Sequence, residues 1–151
     1  MNENILDRLD RENIKLASFD KRLFAYFVDE IIIAIVFSIT YWNIVSIDTQ
    51  DFLVALSQIK NFLIQIVCIK VLYHTIFIWY YGATLGKIWA KIICIDTIML
   101  SKPNLTQSFL RAVMKVVGEA LFYIGFIWFF ENRERQTWQD KIARTVVCDV
   151  Y

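Results

Sequence analysis

Hydrophobic and polar positions divide the chain into a charged start, two long apolar runs and a third, shorter one. Residues 1–22 carry Asp7, Arg8, Asp10, Arg11, Glu12 and Lys15 around a thin apolar stripe of Ile5, Leu9 and Leu16, which predicts a short surface-lying helix. That density of charge is wrong for the apolar region of a secretory signal. The first long run extends from about Leu23 to Ile47, and Ile31–Ile47 is 17 residues without a charge. This is near the lower limit for crossing a hydrocarbon core of about 30 Å. Tyr41 and Trp42 read as an interfacial aromatic pair. A helix starting near Leu23 places Asp29 about 9 Å inside its start.

The second run, Asn61–Tyr81, ends in Trp79, Tyr80 and Tyr81. Lys70 lies near its middle and His74 follows four residues later, on the same helix face. A lone cation at mid-bilayer costs about 2.5–3.5 kcal/mol, so this face is expected to meet other helices or water. The third run, Ala120–Phe130, is uncharged for only 11 residues, a length suited to a re-entrant or tilted segment. Before it, Arg111, Lys115 and Glu119 recur every four residues opposite Leu105, Phe109, Val113 and Val116, the pattern of an amphipathic helix. Gly118 offers a break between the two parts. Lys91–Asp96 and Thr145–Val150 are rich in β-branched residues and are expected to pair as two short strands.

The fold class expected is therefore an all-α membrane protein. It has two transmembrane helices, a third membrane-embedded segment (re-entrant or tilted spanning) and a short cytoplasmic two-stranded β element. The expected organisation is a charged segment 1–18 followed by a membrane domain 19–151. Lys plus Arg count five in residues 1–22, one in 46–61, four in 82–111 and four in 131–151. The positive-inside bias then predicts both termini in the cytoplasm and an outside loop near Ile47–Lys60. An inner-membrane, multi-pass location follows, with the lipid bilayer as the first partner.

Composition narrows the function classes. The chain is 58% hydrophobic, with four Gly and one Pro, which excludes a disordered or loop-rich chain. A net charge of +1 gives no case for nucleic acid. Cys68, Cys94 and Cys148 show no C-x-x-C spacing, so reduced thiols are expected, with no metal and no cofactor. Gly82–Lys87 (GATLGK) is not a phosphate loop. Three residues separate its glycines and Ile88 follows the Lys, so it reads as a sharp turn where the backbone approaches a neighbour. No H-E-x-x-H or G-x-S-x-G motif is present, and no enzyme is expected.

Arg22, Asp29 seven residues later, and Asp140 in TWQDKIARTVV resemble the RDD family of small membrane proteins. GATLGKIWAKIICID, with Gly82, Thr84, Gly86 and Lys87, is similar to that family's G-x-T-x-G-K segment, and Arg111 fits an Arg before its last helix. The resemblance covers roughly residues 19–150. Where the family usually has His before the last Asp, this chain has Gln139. The resemblance implies the topology above and, for function, transport of small ligands or scaffolding of a membrane complex.

Arg22 and Asp29 lie two turns apart on one helix face. If the C-terminal tail folds back, Arg22 is expected to bind Asp140 as a forked pair, with Asp29 held nearby through water or a further cation. Glu30, Lys70, His74, Lys115 and Glu119 then line a polar path for an ion or small solute, or form structural ion pairs that pin the helices together. Three helices are too few to enclose a path alone. Transport therefore requires a homo-oligomer or another membrane protein, and the competing expectation is a non-catalytic scaffold or assembly subunit.

Overall fold

A computed structural model of the chain describes residues 5–42, 52–120 and 136–150. It is mostly helical, with one small sheet. In chain order come α1 (Ile5–Arg11), α2 (Phe19–Tyr41), α3 (Phe52–Tyr81), α4 (Leu85–Trp89), β1 (Ile92–Asp96), α5 (Leu105–Ala120), α6 (Trp138–Ile142) and β2 (Thr145–Asp149). The third apolar run beyond Ala120 lies outside the described residues.

Two helices, α2 and α3, are long and apolar enough to cross a membrane. Helix α2 begins at Phe19, after Ser18 in extended conformation, rather than at Leu23. Asp29 therefore stands about 15 Å along its helix, deeper than the expected 9 Å. Only a narrow stripe of α2 is buried, Arg22, Ala25, Asp29 and Ile33, spaced three and four residues apart. The rest of its surface is apolar and exposed, including Phe24, Phe27, Ile31, Ile35 and Ile39.

Helix α3 corrects a second boundary. It starts at Phe52 rather than Asn61, so residues 52–60 are helical and belong to no loop, while 43–51 are not described. Physically, Lys60 alone does not stop a helix, and no Gly or Pro interrupts the run. At 30 residues α3 is roughly 45 Å long, more than the hydrocarbon core needs.

The strands pair antiparallel with Ile92 opposite Asp149 and Asp96 opposite Thr145. Leu16 bridges to Cys148 on the outer edge of β2, and Ala17 N–H donates to the Val147 carbonyl at 3.1 Å. One sheet face packs Leu9 of α1 with Ile95, Val146 and Cys148; the other packs Ala17 and Ala25 with Ile92 and Val147. This second face seats the start of α2 on the sheet.

Helix α5 is amphipathic in an inverted sense, with polar residues inside and apolar ones exposed. Ser108, Arg111 and Ala112 are buried, whereas Leu105, Phe109, Leu110 and Val117 are exposed. It runs through Gly118 to Ala120, so Gly118 does not break it. One glycine costs a helix only about 1 kcal/mol, which neighbouring turns absorb.

The carboxylate sites between the helices

Two buried carboxylates organise the interior. Asp140, fully buried on α6, lies between two guanidinium groups: Arg22 Nη1 is 3.1 Å from Oδ2 and Arg111 Nη1 is 2.6 Å from Oδ1. Asp140 Oδ2 also accepts from Thr137 N–H at 3.2 Å, capping its own helix. Arg22 does not form the expected fork. Its Nη2 donates instead to the Val147 carbonyl at 3.1 Å, because the sheet edge offers an acceptor beside Asp140. Arg111 also donates to Thr145 Oγ1 at 2.6 Å and to Cys94 Sγ at 3.0 Å. Burial alone raises a carboxyl's pKa and lowers that of a cation, but the close opposite charges outweigh it here. The Asp140 carboxyl is held below its usual range, and the Arg111 guanidinium is raised.

Asp29 is held differently, by direct neutral donors rather than through the water or further cation expected. Oδ2 accepts from Thr84 Oγ1 at 2.6 Å; Oδ1 accepts from Gly86 N–H at 2.9 Å and from Tyr73 Oη at 2.8 Å. All three donors are neutral. The GATLGK turn is thus a carboxylate receptor pressed against α2. A Cβ at Gly86 would run into the Ala25 carbonyl and come within 2.8 Å of Asp29 Oδ1, and Gly82 turns the chain at φ 75°.

The other charged residues expected to line a path form a second group, which meets α2 at Glu30, the residue after Asp29. Lys70 Nζ is 2.7 Å from Glu30 Oε2 and 2.7 Å from Glu119 Oε2. Lys115 Nζ lies 2.6 Å from His74 Nε2, 4.8 Å from the Tyr26 ring centre, and 3.8–3.9 Å from the two glutamates. Burial lowers the Lys115 pKa in spite of Glu119, Asp29 and Glu30. A cavity of about 50 Å³ lies between the two groups, lined in part by Arg22, Asp29, His74, Lys87, Lys115 and Asp140.

The sequence reading does not single out Tyr73, Thr137 or Thr145. A signal for Thr137 is present all the same, because Thr84-x5-Ala90-Lys91-x4-Asp96 recurs as Thr137-x5-Ala143-Arg144-x4-Asp149, with Thr145 directly after its basic residue.

The sequence model of the RDD family matches residues 16–144, and with Arg22, Asp29 and Asp140 all drawn to one interior this decides the family. The chain belongs to the RDD family. Among curated proteins it is similar to the uncharacterized protein RP437 of Rickettsia prowazekii (strain Madrid E), 33% identical over 70 residues. That stretch is 46% of this chain and covers 38% of the relative's length. No solved structure matches. In this RDD-family chain the name-giving residues fall into two arrangements, an Arg-Asp-Arg sandwich at Asp140 and a set of neutral donors at Asp29.

Proposed function

We propose that this RDD-family protein is a non-catalytic, multi-pass inner-membrane subunit that conducts an ion or small solute, as a homo-oligomer or with another membrane protein. The observation that carries this reading is the cluster of ionisable side chains held between apolar helices around one cavity. Charge buried at membrane depth is costly, and where it clusters next to a cavity it marks a pathway. In this reading α5 turns its apolar face to lipid, the sheet lies at the cytoplasmic surface, and both termini are cytoplasmic. The exposed apolar faces of α2 and α3 meet lipid or neighbouring subunits.

Scaffolding is favoured by a different observation. Ile31, Ala34, Ile35, Ser38 and Trp42 line a shallow apolar groove on α2, where Ala34 and Ser38 permit close helix approach. One experiment separates the readings. The full chain is reconstituted in nanodiscs for mass measurement and in proteoliposomes for flux of protons, sodium, potassium, chloride and small carboxylates. Transport predicts a stable oligomer with flux that Lys115→Met lowers at least about tenfold. A monomer that passes none of these ions and co-purifies with another membrane protein sinks the transport reading.

A further inference from the structure

We propose that the cavity between α2, α4, α5 and α6 binds a small inorganic anion of chloride size, with the Lys87 ammonium as its direct contact. This rests on the pathway reading above and names the class of ion the site takes.

Charge balance leads to it. Four cations line the cavity, Arg22, Lys87, Arg111 and Lys115, against two carboxylates, Asp29 and Asp140. Adding Lys70, Glu30 and Glu119 from the adjoining group leaves five cations to four carboxylates. The unmatched cation can be identified. Arg22 and Arg111 hold Asp140, Lys70 holds Glu30 and Glu119, and Lys115 sits on His74. Lys87, half-buried and facing the cavity, has no hydrogen-bond or ion-pair partner among the described residues.

The two carboxylates that line the cavity do not offer a cation site instead. Both Asp29 oxygens are taken by neutral donors and both Asp140 oxygens by guanidinium groups. Burial and the Arg111 charge push the Lys87 pKa down to about 8, and the opposing pull of Cys94, Asp140 and Asp29 does not offset them. An anion beside Nζ supplies the missing charge. About 50 Å³ admits roughly one or two water-sized species. Chloride, nitrate or bicarbonate fit that space. A nucleotide does not.

The test uses the full-length protein in nanodiscs of neutral lipid, with the thermal midpoint read against chloride at constant ionic strength, gluconate replacing it. The wild-type midpoint should rise with chloride, and Lys87→Met should lower apparent chloride affinity at least about tenfold. Lys87→Arg should retain it. Raising the pH from 7 to 9 should weaken chloride binding roughly tenfold in the wild type and leave Lys87→Met unaffected. That second arm isolates Lys87 from the other groups facing it: Arg22 and Asp29 of α2, His74 of α3, Cys94 of β1, Arg111 and Lys115 of α5, and Asp140 of α6. Equal responses to chloride and gluconate overturn the proposal, as does a full chloride response in Lys87→Met. If Lys87→Met does not fold, Lys87→Gln is read by the same criteria. Chloride binding without flux sinks the pathway and leaves the site standing, whereas flux without chloride binding sinks the site alone.

Discussion

The units α4–β1 and α6–β2 are near copies of one another in backbone and differ in how each helix start receives its negative charge. Thr84 and Thr137 are N-caps with φ, ψ of −77°, 167° and −76°, 164°, and Ala90 and Ala143 close the helices at −74°, −1° and −80°, −2°. Lys91 and Arg144 then take positive φ, 56° and 52°, before five-residue strands. The cross-bonds are matched as well: Thr97 N–H donates to the Arg144 carbonyl at 3.0 Å and Val150 N–H to the Lys91 carbonyl at 2.8 Å. The third helical residue is where they part, Lys87 in one and Asp140 in the other. A helix start favours negative charge. In α6 it comes from within, through Asp140 to Thr137 N–H; in α4 it comes from Asp29 of α2. The borrowed cap fastens α4 to α2 directly, whereas the local cap of α6 is tied to α2 and α5 through the guanidinium groups of Arg22 and Arg111.

The two arrangements also differ in what happens when the carboxylate is lost, and the largest effect belongs to Asp140. Asp140→Ala leaves two buried guanidinium groups facing one another, and about 3–5 kcal/mol is expected, read as a lower unfolding midpoint in detergent. Arg22→Ala should cost less, because Asp140 keeps Arg111 at 2.6 Å. Adding Arg22→Ala to Asp140→Ala should recover part of the loss by removing one of the facing cations. Simple additivity of the two single effects would mean that the three residues are not one energetic unit. Arg22→Lys should rescue only in part, since one ammonium does not span both Asp140 and the Val147 carbonyl.

A smaller effect comes from the residue before, Gly86 in α4 and Gln139 in α6. Gly86→Ala pushes a methyl into the Ala25 carbonyl and the Asp29 carboxylate, which cannot yield without parting α4 from α2. Overpacking of this kind costs about 1–3 kcal/mol. Gln139→Ala, at the matching place on a half-buried side chain, should stay within about 1 kcal/mol. Equal midpoints for the two variants would show that the borrowed cap imposes no close approach.

Much of this is legible in the sequence, and the failures have physical causes. The strand pair follows from β-branched composition, and the close approach at GATLGK from its glycines. The helix starts at Phe19 and Phe52 escape the pattern because a charge reads as a boundary, whereas a helix tolerates Arg22 or Lys60 when the side chain finds a partner or reaches the interface. The partners of Asp29 escape it because charge signs point to a cation. Tyr73, Thr84 and the Gly86 N–H are neutral donors, and a fold rather than a charge pattern brings them together. The near-duplication of α4–β1 and α6–β2 is present as spaced Thr, Ala, basic and Asp positions, but short strands and five-residue helices give no periodic signal long enough to stand out.

The gentlest probe of the two units is pH, because their matched third residues titrate in different pH windows. The Asp140 pKa is lowered, so its contribution is complete above the ordinary carboxylate range and is lost as the pH falls through the lowered value. At neutral pH and above it is constant. Lys87 is also lowered, to about 8, but for a base this means that the fold holds the charged form at a cost. That cost is fully present below about pH 8 and is relieved as the pH rises toward the ordinary lysine value. The full difference corresponds to about 3 kcal/mol, which water at the half-buried side chain should reduce to about 1 kcal/mol. In chloride-free buffer the wild-type midpoint should therefore climb between about pH 7.5 and 10 relative to Lys87→Met, a variant with nothing to titrate at this position. Parallel profiles for the two proteins would show that Lys87 is already neutralised by its surroundings, and that α4, like α6, has its charges settled from within.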